Sequence, residues 1–306
     1  MENKVTAKRA FSIAGFLALI VILVKFGICE YLFPYVLFPG GDNLYLVLLL
    51  PLILTYAILI PVLWPVVKRN SNPEFFPQKH KIPAGKLIAW FIVFAALTRI
   101  IVIVTTLIHN AIAGEPAADP VAELQAASPW VMFFLAVLVA PIAEEIIFRG
   151  FLFKVLAPYG GKFFILVSGL LFALFHVNIN QIPMAFVMGV FFAYVMYRTG
   201  DIRITILLHF VTNLISSVSV FFLESETGTM AVGIFMLAFM FVGVVMLIVF
   251  LTKKRLKQDI VFEPAMVPVT AGQVWLNAGM ILFIIAAIIG TIFTKLVMTG
   301  MISPPA

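Results

Sequence analysis

Long apolar stretches separated by short polar segments are the main pattern of this chain. A helix needs about 20 apolar residues to cross the hydrocarbon core of a bilayer. The alternation that is typical of membrane strands is missing from the sequence, so we expect an all-α polytopic membrane protein. Nine transmembrane helices are predicted, the sixth of them short, over roughly 11–29, 45–67, 87–108, 129–149, 163–180, 183–198, 204–222, 229–252 and 274–297.

The charges between these stretches predict how the chain is threaded through the membrane. Basic residues recur in every second connection, and acidic residues occupy the connections between them. The positive-inside rule places the basic connections in the cytoplasm, so we expect the N-terminus inside the cell, the C-terminus outside and the chain in the plasma membrane. The basic residues are Lys4, Lys8, Arg9, Lys68, Arg69, Lys79, Lys81, Lys86, Lys154, Lys162, Arg198, Arg203, Lys253, Lys254, Arg255 and Lys257, with Lys295 as the main exception.

Composition narrows the class of protein further. Of the 306 residues, 63% are hydrophobic and 11% are charged, whereas soluble domains carry about 25% charged residues. Cys29 is the single cysteine, which excludes a disulfide-stapled secreted fold. The net charge of +6 is explained by the basic connections, which the positive-inside rule places in the cytoplasm. The expected partner is therefore the lipid bilayer and not a nucleic acid. No polar segment is long enough for a separate domain, and residues 1–306 are predicted to form one membrane-embedded domain.

Ionisable residues inside the predicted helices are the first candidates for function. Each costs about 2.5–3.5 kcal/mol to insert, so a partner or a chemical role is expected. Glu145 and Arg149 are four residues apart and share a helix face, which predicts an ion pair. Glu144 lies about 100° around the helix and points elsewhere. Pro141 lacks a backbone N–H and can open the helix before the acids. Arg99 in the third stretch is expected to have a structural role.

Two later stretches add histidines and an amide. His176 lies near the end of the fifth stretch, and His209 and Asn213 share a helix face in the seventh. Such groups can simply join helices by hydrogen bonds, but an acid, two imidazoles and an amide can also carry out hydrolysis. A carboxylate in an apolar bundle is a competent base, and imidazole and amide N–H groups can stabilise an oxyanion. The competing use of Glu144 and the two histidines is zinc binding.

Together these residues resemble the motifs of a known family. Three motifs occur in order and are similar to those of the CPBP intramembrane proteases: Glu144-Glu145-x-x-x-Arg149, Phe172-x-x-x-His176 and His209-x-x-x-Asn213. This family is also called Abi and includes the CAAX prenyl proteases of the Ras-converting type. The resemblance implies a catalytic core over residues 129–222, with residues 1–128 and 223–306 as accessory transmembrane helices.

The resemblance also implies a role for each motif residue. Glu144 would activate a water molecule for attack on a peptide carbonyl, and His176 would assist with the water and with proton transfer. His209 and Asn213 would stabilise the oxyanion. Supporting roles fall to the remaining motif residues, Glu145, Arg149 and Phe172, with Arg149 holding Glu145 and the helix end in place.

Two mechanisms, one with a metal ion and one without, have been described for this family. Its members were first described as metalloproteases, and the later interpretation is a glutamate-activated water without metal. We favour the glutamic type and expect no cofactor, because the fifth and seventh stretches offer no further acid to orient a zinc-bound histidine. In the zinc alternative the ligands would be Glu144, His176 and His209. The zinc-protease pattern His-Glu-x-x-His does not occur in the sequence.

The sequence therefore predicts an intramembrane endopeptidase that hydrolyses a peptide bond of a membrane-associated or lipidated protein or peptide. A prenylated substrate, a bacteriocin and a signalling peptide are equally compatible with the resemblance. Two alternatives come from other classes. One is a catalytically silent membrane regulator or immunity protein on the same scaffold, and the other is a proton-coupled transporter that uses the acids and histidines as a relay.

The depths of the candidate residues set a geometric requirement. Glu144 lies about 8 Å from the inner end of its stretch if that end is Arg149, whereas His176 lies about 21 Å from Lys162. The two residues meet only if the fourth helix continues beyond Arg149, or if the fifth helix starts deeper or tilts. We expect both.

Overall fold

The computed structural model describes residues 5–28, 49–71, 80–113, 128–222, 225–253, 268–299 and 301 of the chain. Within these ranges the secondary structure is helical, and no strand occurs. Six of the described helices are long and apolar enough to cross a membrane. Two shorter apolar segments are the helix Gly161–Phe175 and the part Ile202–Ser217 of the helix that begins at Ile202. The predicted all-α, polytopic membrane fold is confirmed.

Each predicted stretch corresponds to a helix, although residues 29 and 45–48 of the first two stretches lie outside the described residues. Polar caps set several of the helix starts. The Thr6 hydroxyl accepts from the Arg9 amide at 3.4 Å, so the first helix begins at Ala7 rather than at residue 11. In chain order the helices are α1 (Ala7–Val24), α2 (Leu50–Asn70), α3 (Ala84–Ala113), α4 (the helical run 129–159), α5 (Gly161–Phe175), α6 (Ile182–Thr199), α7 (Ile202–Phe222), α8 (Glu226–Thr252), α9 (Ala271–Trp275) and α10 (Ala278–Met298).

The fourth helix is longer than the predicted stretch 129–149. It continues past Arg149 through Leu152–Leu156 and closes with a 3₁₀ turn at Ala157–Tyr159. The expected continuation beyond Arg149 is therefore present, and the Arg149 side chain is fully buried. Glu144 now lies fifteen residues from the end of α4 at Tyr159, and His176 lies fifteen residues from the start of α5 at Gly161. The two residues are therefore at the same distance from the turn that joins the two helices, which meets the depth requirement.

Two other predicted boundaries are also wrong. The fifth stretch, 163–180, ends as a helix at Phe175, because Val177 adopts a left-handed φ of 42° that interrupts the helix. The ninth stretch, 274–297, begins too early, since the short helix α9 ends at Trp275 and a separate helix starts at Ala278. The Asn277 side chain caps this second helix by accepting from the Met280 amide at 3.0 Å.

Close helix contacts at glycines position the centre of the bundle. A Cβ on Gly189 of α6 would lie 3.1 Å from the Gly169 Cα of α5, so the two backbones touch. A Cβ on Gly279 of α10 would lie 1.8 Å from the Ser12 carbonyl oxygen of α1. The terminal helices α1 and α10 therefore form a tight pair, and the Gly290 Cα face of α10 lies against Val177, immediately after His176.

Candidate active site

A buried ion pair lies at the centre of the site. Glu145 and Arg149 on α4 are both 0% exposed, and Arg149 Nη1 lies 2.9 Å from Glu145 Oε1. Nη2 of the same guanidinium donates to the Gly189 carbonyl at 3.0 Å, and its Cζ lies 4.3 Å from the Phe172 ring centroid. The ion pair that the four-residue spacing predicts is therefore present. Its partners on α5 and α6 tie α4 to both helices.

His209 of α7 contacts the same carboxylate. Its Nδ1 lies 3.0 Å from Glu145 Oε1, and the ring packs against Phe172 and Phe192 with centroid distances of 5.7 and 5.2 Å. Glu145 Oε1 also faces the Arg149 guanidinium, and a carboxylate paired with arginine accepts hydrogen bonds but does not donate them. Nδ1 of His209 is therefore the protonated nitrogen, and Nε2 carries the lone pair.

Glu144 faces the other nitrogen of this imidazole. Its Oε2 lies 3.9 Å from His209 Nε2, and the residue is 8% exposed. The adjacent acids thus diverge as the helical rotation predicts, Glu145 toward Arg149 and Glu144 toward Nε2. One water molecule could contact both Glu144 and Nε2 at ordinary hydrogen-bond lengths of about 2.8 Å.

His176 is held by its own helix. Its Nδ1 lies 2.8 Å from the Phe172 carbonyl oxygen, four residues earlier on α5. A carbonyl only accepts, so Nδ1 carries the proton here too and Nε2 is left as an acceptor. The Phe172 ring lies edge-on to the imidazoles of both His176 and His209, with centroids at 4.9 and 5.7 Å. Phe172 therefore links the second motif to the third.

Asn213 lies one turn after His209 on α7. Its Nδ2 donates to the Ala136 carbonyl of α4 at 2.7 Å. The structure thus brings all three motifs against one another. Arg99, which the sequence assigns a structural role, reaches α7 at a separate point, where Nη2 donates to the Ser216 hydroxyl.

A zinc site needs at least three donor side chains grouped around one point. Among the residues that the structure describes, no three or more His, Cys, Asp or Glu side chains are grouped so as to hold a metal ion. Glu144, His176 and His209 therefore do not form the three-ligand set that the zinc alternative requires.

Sequence reasoning alone misses three contributors to this site. The carbonyls of Gly189 and Ala136 receive side-chain hydrogen bonds, and backbone acceptors have no signature in a single sequence. Lys25 of the first stretch places Nζ 4.7 Å from the ring centroid of Phe175, the residue before His176. A lysine inside an apolar stretch is a signal, but it does not identify the helix that the lysine faces.

Comparisons with known proteins bear on this geometry. Residues 126–215 match the family model described as "Type II CAAX prenyl endopeptidase Rce1-like". The chain is 28% identical over 191 residues to a "Membrane-embedded CAAX protease MroQ" of Staphylococcus aureus (strain USA300), and the match covers 59% of this chain and 76% of that protein. No solved structure matches the chain. The matched segment contains all three motifs.

Proposed function

We propose that this chain, whose residues 126–215 are similar to the CAAX proteases of the CPBP family, is a glutamate-dependent intramembrane endopeptidase. The family supports protease activity on a membrane-associated protein or peptide. The observation that carries the finer proposal is the position of Glu144, whose carboxylate lies 3.9 Å from the Nε2 of a histidine that Glu145 already orients.

Glu144 acts as the general base. A water molecule hydrogen-bonded to its Oε2 loses a proton to the carboxylate as the water oxygen attacks the peptide carbonyl. The carbon–oxygen bond forms, and the carbonyl π electrons become the oxyanion of the tetrahedral intermediate. Glu144 is only 8% exposed, so this transfer takes place away from bulk water.

His209 and Glu145 form a relay around that water. In its neutral form His209 accepts at Nε2 and helps to orient the water. The proton that Glu144 accepts passes on to Nε2, which lies 3.9 Å from Oε2. Nε2 thereby becomes a donor, and the Glu145 carboxylate at Nδ1 stabilises the imidazolium until the proton is given up, as in other carboxylate–histidine pairs. The side-chain amide of Asn213 supplies a second donor on the same face of α7. We assign His209 Nε2 and this amide to the stabilisation of the oxyanion.

Collapse of the intermediate completes the reaction. The carbonyl re-forms, the carbon–nitrogen bond breaks, and the leaving amine takes the proton that Glu144 accepted. His176 presents Nε2 as an acceptor on the α5 side, because Nδ1 is bonded to the Phe172 carbonyl, and it assists this proton transfer. The products are a carboxylic acid and an amine, which become a carboxylate and an ammonium once they exchange a proton, and the enzyme returns to its starting state.

The substrate class follows from the family and from the location of the site. The relative from Staphylococcus aureus is named a CAAX protease, and a CAAX sequence is a C-terminal signal for prenylation of its cysteine. We assign a membrane-associated peptide or protein as substrate, with prenylated chains and bacteriocin or signalling peptides as its candidate forms. The plasma membrane, with the N-terminus in the cytoplasm, is the proposed location.

Purified protein in liposomes tests this function. It is incubated with a library of peptides in matched lipidated and unlipidated forms, and the products are identified by mass spectrometry. We expect two fragments whose masses sum to that of the peptide plus one water, with the lipidated form cleaved faster. Peptide binding without fragments would identify a silent regulator, and proton flux without fragments would identify a transporter. Either result would overturn the proposal.

A further inference from the structure

The backbone of α4 changes register just before Glu144. Phe133–Val139 is π-helical, and an α-helical segment, Ala140–Glu145, follows with Pro141 in its first turn. In a π-helix the amide of residue i+5 donates to the carbonyl of residue i. For the Ala136 carbonyl that amide would belong to Pro141, which has no N–H.

The Ala136 carbonyl instead receives the Asn213 side chain. Nδ2 of Asn213 donates to it at 2.7 Å from the neighbouring helix α7. Inside a membrane protein a carbonyl without a donor is costly, and neighbouring side chains commonly satisfy those that proline frees. Pro141 and Asn213 thus act on one atom, the first by withholding a donor and the second by supplying one.

This contact also orients the amide of Asn213. A carboxamide is planar and carries two N–H groups in fixed directions, so a bond from one N–H to Ala136 fixes the direction of the other N–H and of Oδ1. His209 lies one turn earlier on the same face, and its Nε2 faces Glu144. The orientation of the amide relative to the reacting groups therefore depends on the freed carbonyl.

We propose that Pro141 is a positioning residue of the active site, which frees the Ala136 carbonyl so that this carbonyl orients the Asn213 amide as an oxyanion donor. The inference rests on the proposed protease function. It assigns the helix break before the acids a chemical purpose, which neither the motifs nor the family match provides.

Pro141→Ala is the direct test. The new amide of residue 141 can bond to the Ala136 carbonyl and displaces Asn213 from it. Proline in a helix interior is unfavourable, so the variant is expected to be at least as stable as the wild type. We nevertheless expect kcat to fall about tenfold, with KM within about twofold, because a misdirected oxyanion donor weakens only the transition state. A lower kcat together with equal or higher stability would show that Pro141 positions the active site and does not merely stabilise the fold.

A double-mutant cycle with Asn213→Ala shows whether the two residues act through one amide. Asn213→Ala leaves the Ala136 carbonyl without its donor and lowers stability, and adding Pro141→Ala restores a backbone donor and with it the stability. Activity stays low in the double variant, and Pro141→Ala lowers it no further than Asn213→Ala alone. Equal losses of activity from Pro141→Ala in the wild type and in the Asn213→Ala background would overturn the inference.

Pro65→Ala is the matched control, since Pro65 also lies inside a helix, α2, and its side chain is exposed. We expect it to leave kcat within about twofold of the wild type. Wild-type protein that cleaves no peptide would refute the proposed function, whereas active wild type with an equally active Pro141→Ala would refute only this inference. The stability cycle is independent of activity, and it contradicts the inference if Pro141→Ala does not rescue Asn213→Ala.

Discussion

The buried pair of Glu145 and Arg149 gives the strongest stability prediction. Arg149→Met removes the guanidinium, its 2.9 Å contact with Glu145 and its 3.0 Å hydrogen bond to the Gly189 carbonyl. The methionine fills part of the space against Phe172, so the loss comes mainly from charge and hydrogen bonding. Because Glu145 is 0% exposed, its carboxylate is left as an uncompensated charge.

Breaking a buried pair in this way costs about 3–5 kcal/mol in the free energy of unfolding. The charged hydrogen bond to Gly189 is part of that sum, at about 1.5–3 kcal/mol. The remainder belongs to the isolated charge of Glu145. Adding Glu145→Gln removes this charge while the amide oxygen can still accept from His209 Nδ1. The double variant is therefore expected to be more stable than Arg149→Met, with a coupling energy of about 1–3 kcal/mol.

The assay is reversible unfolding in mixed detergent micelles, followed by tryptophan fluorescence, since the chain has 4 tryptophans. Arg203→Met is the matched control. Arg203 forms an exposed pair with Asp201 at 2.7 Å, and its removal should leave the free energy of unfolding unchanged within error. If Arg149→Met and the double variant lose the same stability, the reasoning from charge compensation is wrong.

Two further predictions concern the support of His176 and the use of metal. Gly290→Leu drives a side chain into Val177, whose Cγ1 lies 3.0 Å from the position of a Cβ at Gly290. Because a displacement near the reacting groups lowers the rate, we expect kcat to fall about fivefold or more in steady-state kinetics in detergent. Adding Val177→Ala should restore part of the lost activity, and a double variant as slow as Gly290→Leu would contradict the idea. Treatment with 1,10-phenanthroline, with zinc measured by elemental analysis, should leave the rate of cleavage unchanged, because the proposed base is the Glu144 carboxylate. Loss of activity that added zinc restores would count against that assignment.

Hydrophobic patterning explains how much of the fold could be predicted from the sequence. Each apolar stretch became a helix, because stretches of this length are stable in a bilayer only with their backbone groups bonded internally. Helix ends were harder to place. Arg149 resembled an interfacial residue, yet it pairs with Glu145 and donates to the Gly189 carbonyl deep in the bundle. A tertiary partner such as Gly189 cannot be predicted from one stretch.

The candidate site, like the fold, could be predicted only in part from the sequence. The four-residue spacing predicts the Glu145–Arg149 pair and the divergence of Glu144, because both follow from rotation within one helix. Contacts between helices depend on how each helix is rotated against its neighbour. The bonds from His209 to Glu145 and from Asn213 to the Ala136 carbonyl are of this second kind. The π-helical segments of α4 were also unexpected, since only Pro141 indicated a break.

The single-turnover rate of peptide cleavage by Glu144→Gln, compared with wild type, tests the central claim most directly. Asp201→Asn serves as the matched control, since it neutralises an acid in the turn between α6 and α7. We expect Glu144→Gln to bind peptide and unfold as the wild type does, and to cleave about 10²–10⁴-fold more slowly, which is the usual contribution of a general base. Asp201→Asn should retain the wild-type rate. Cleavage by Glu144→Gln at a rate comparable to that of the wild type would show that another group activates the water.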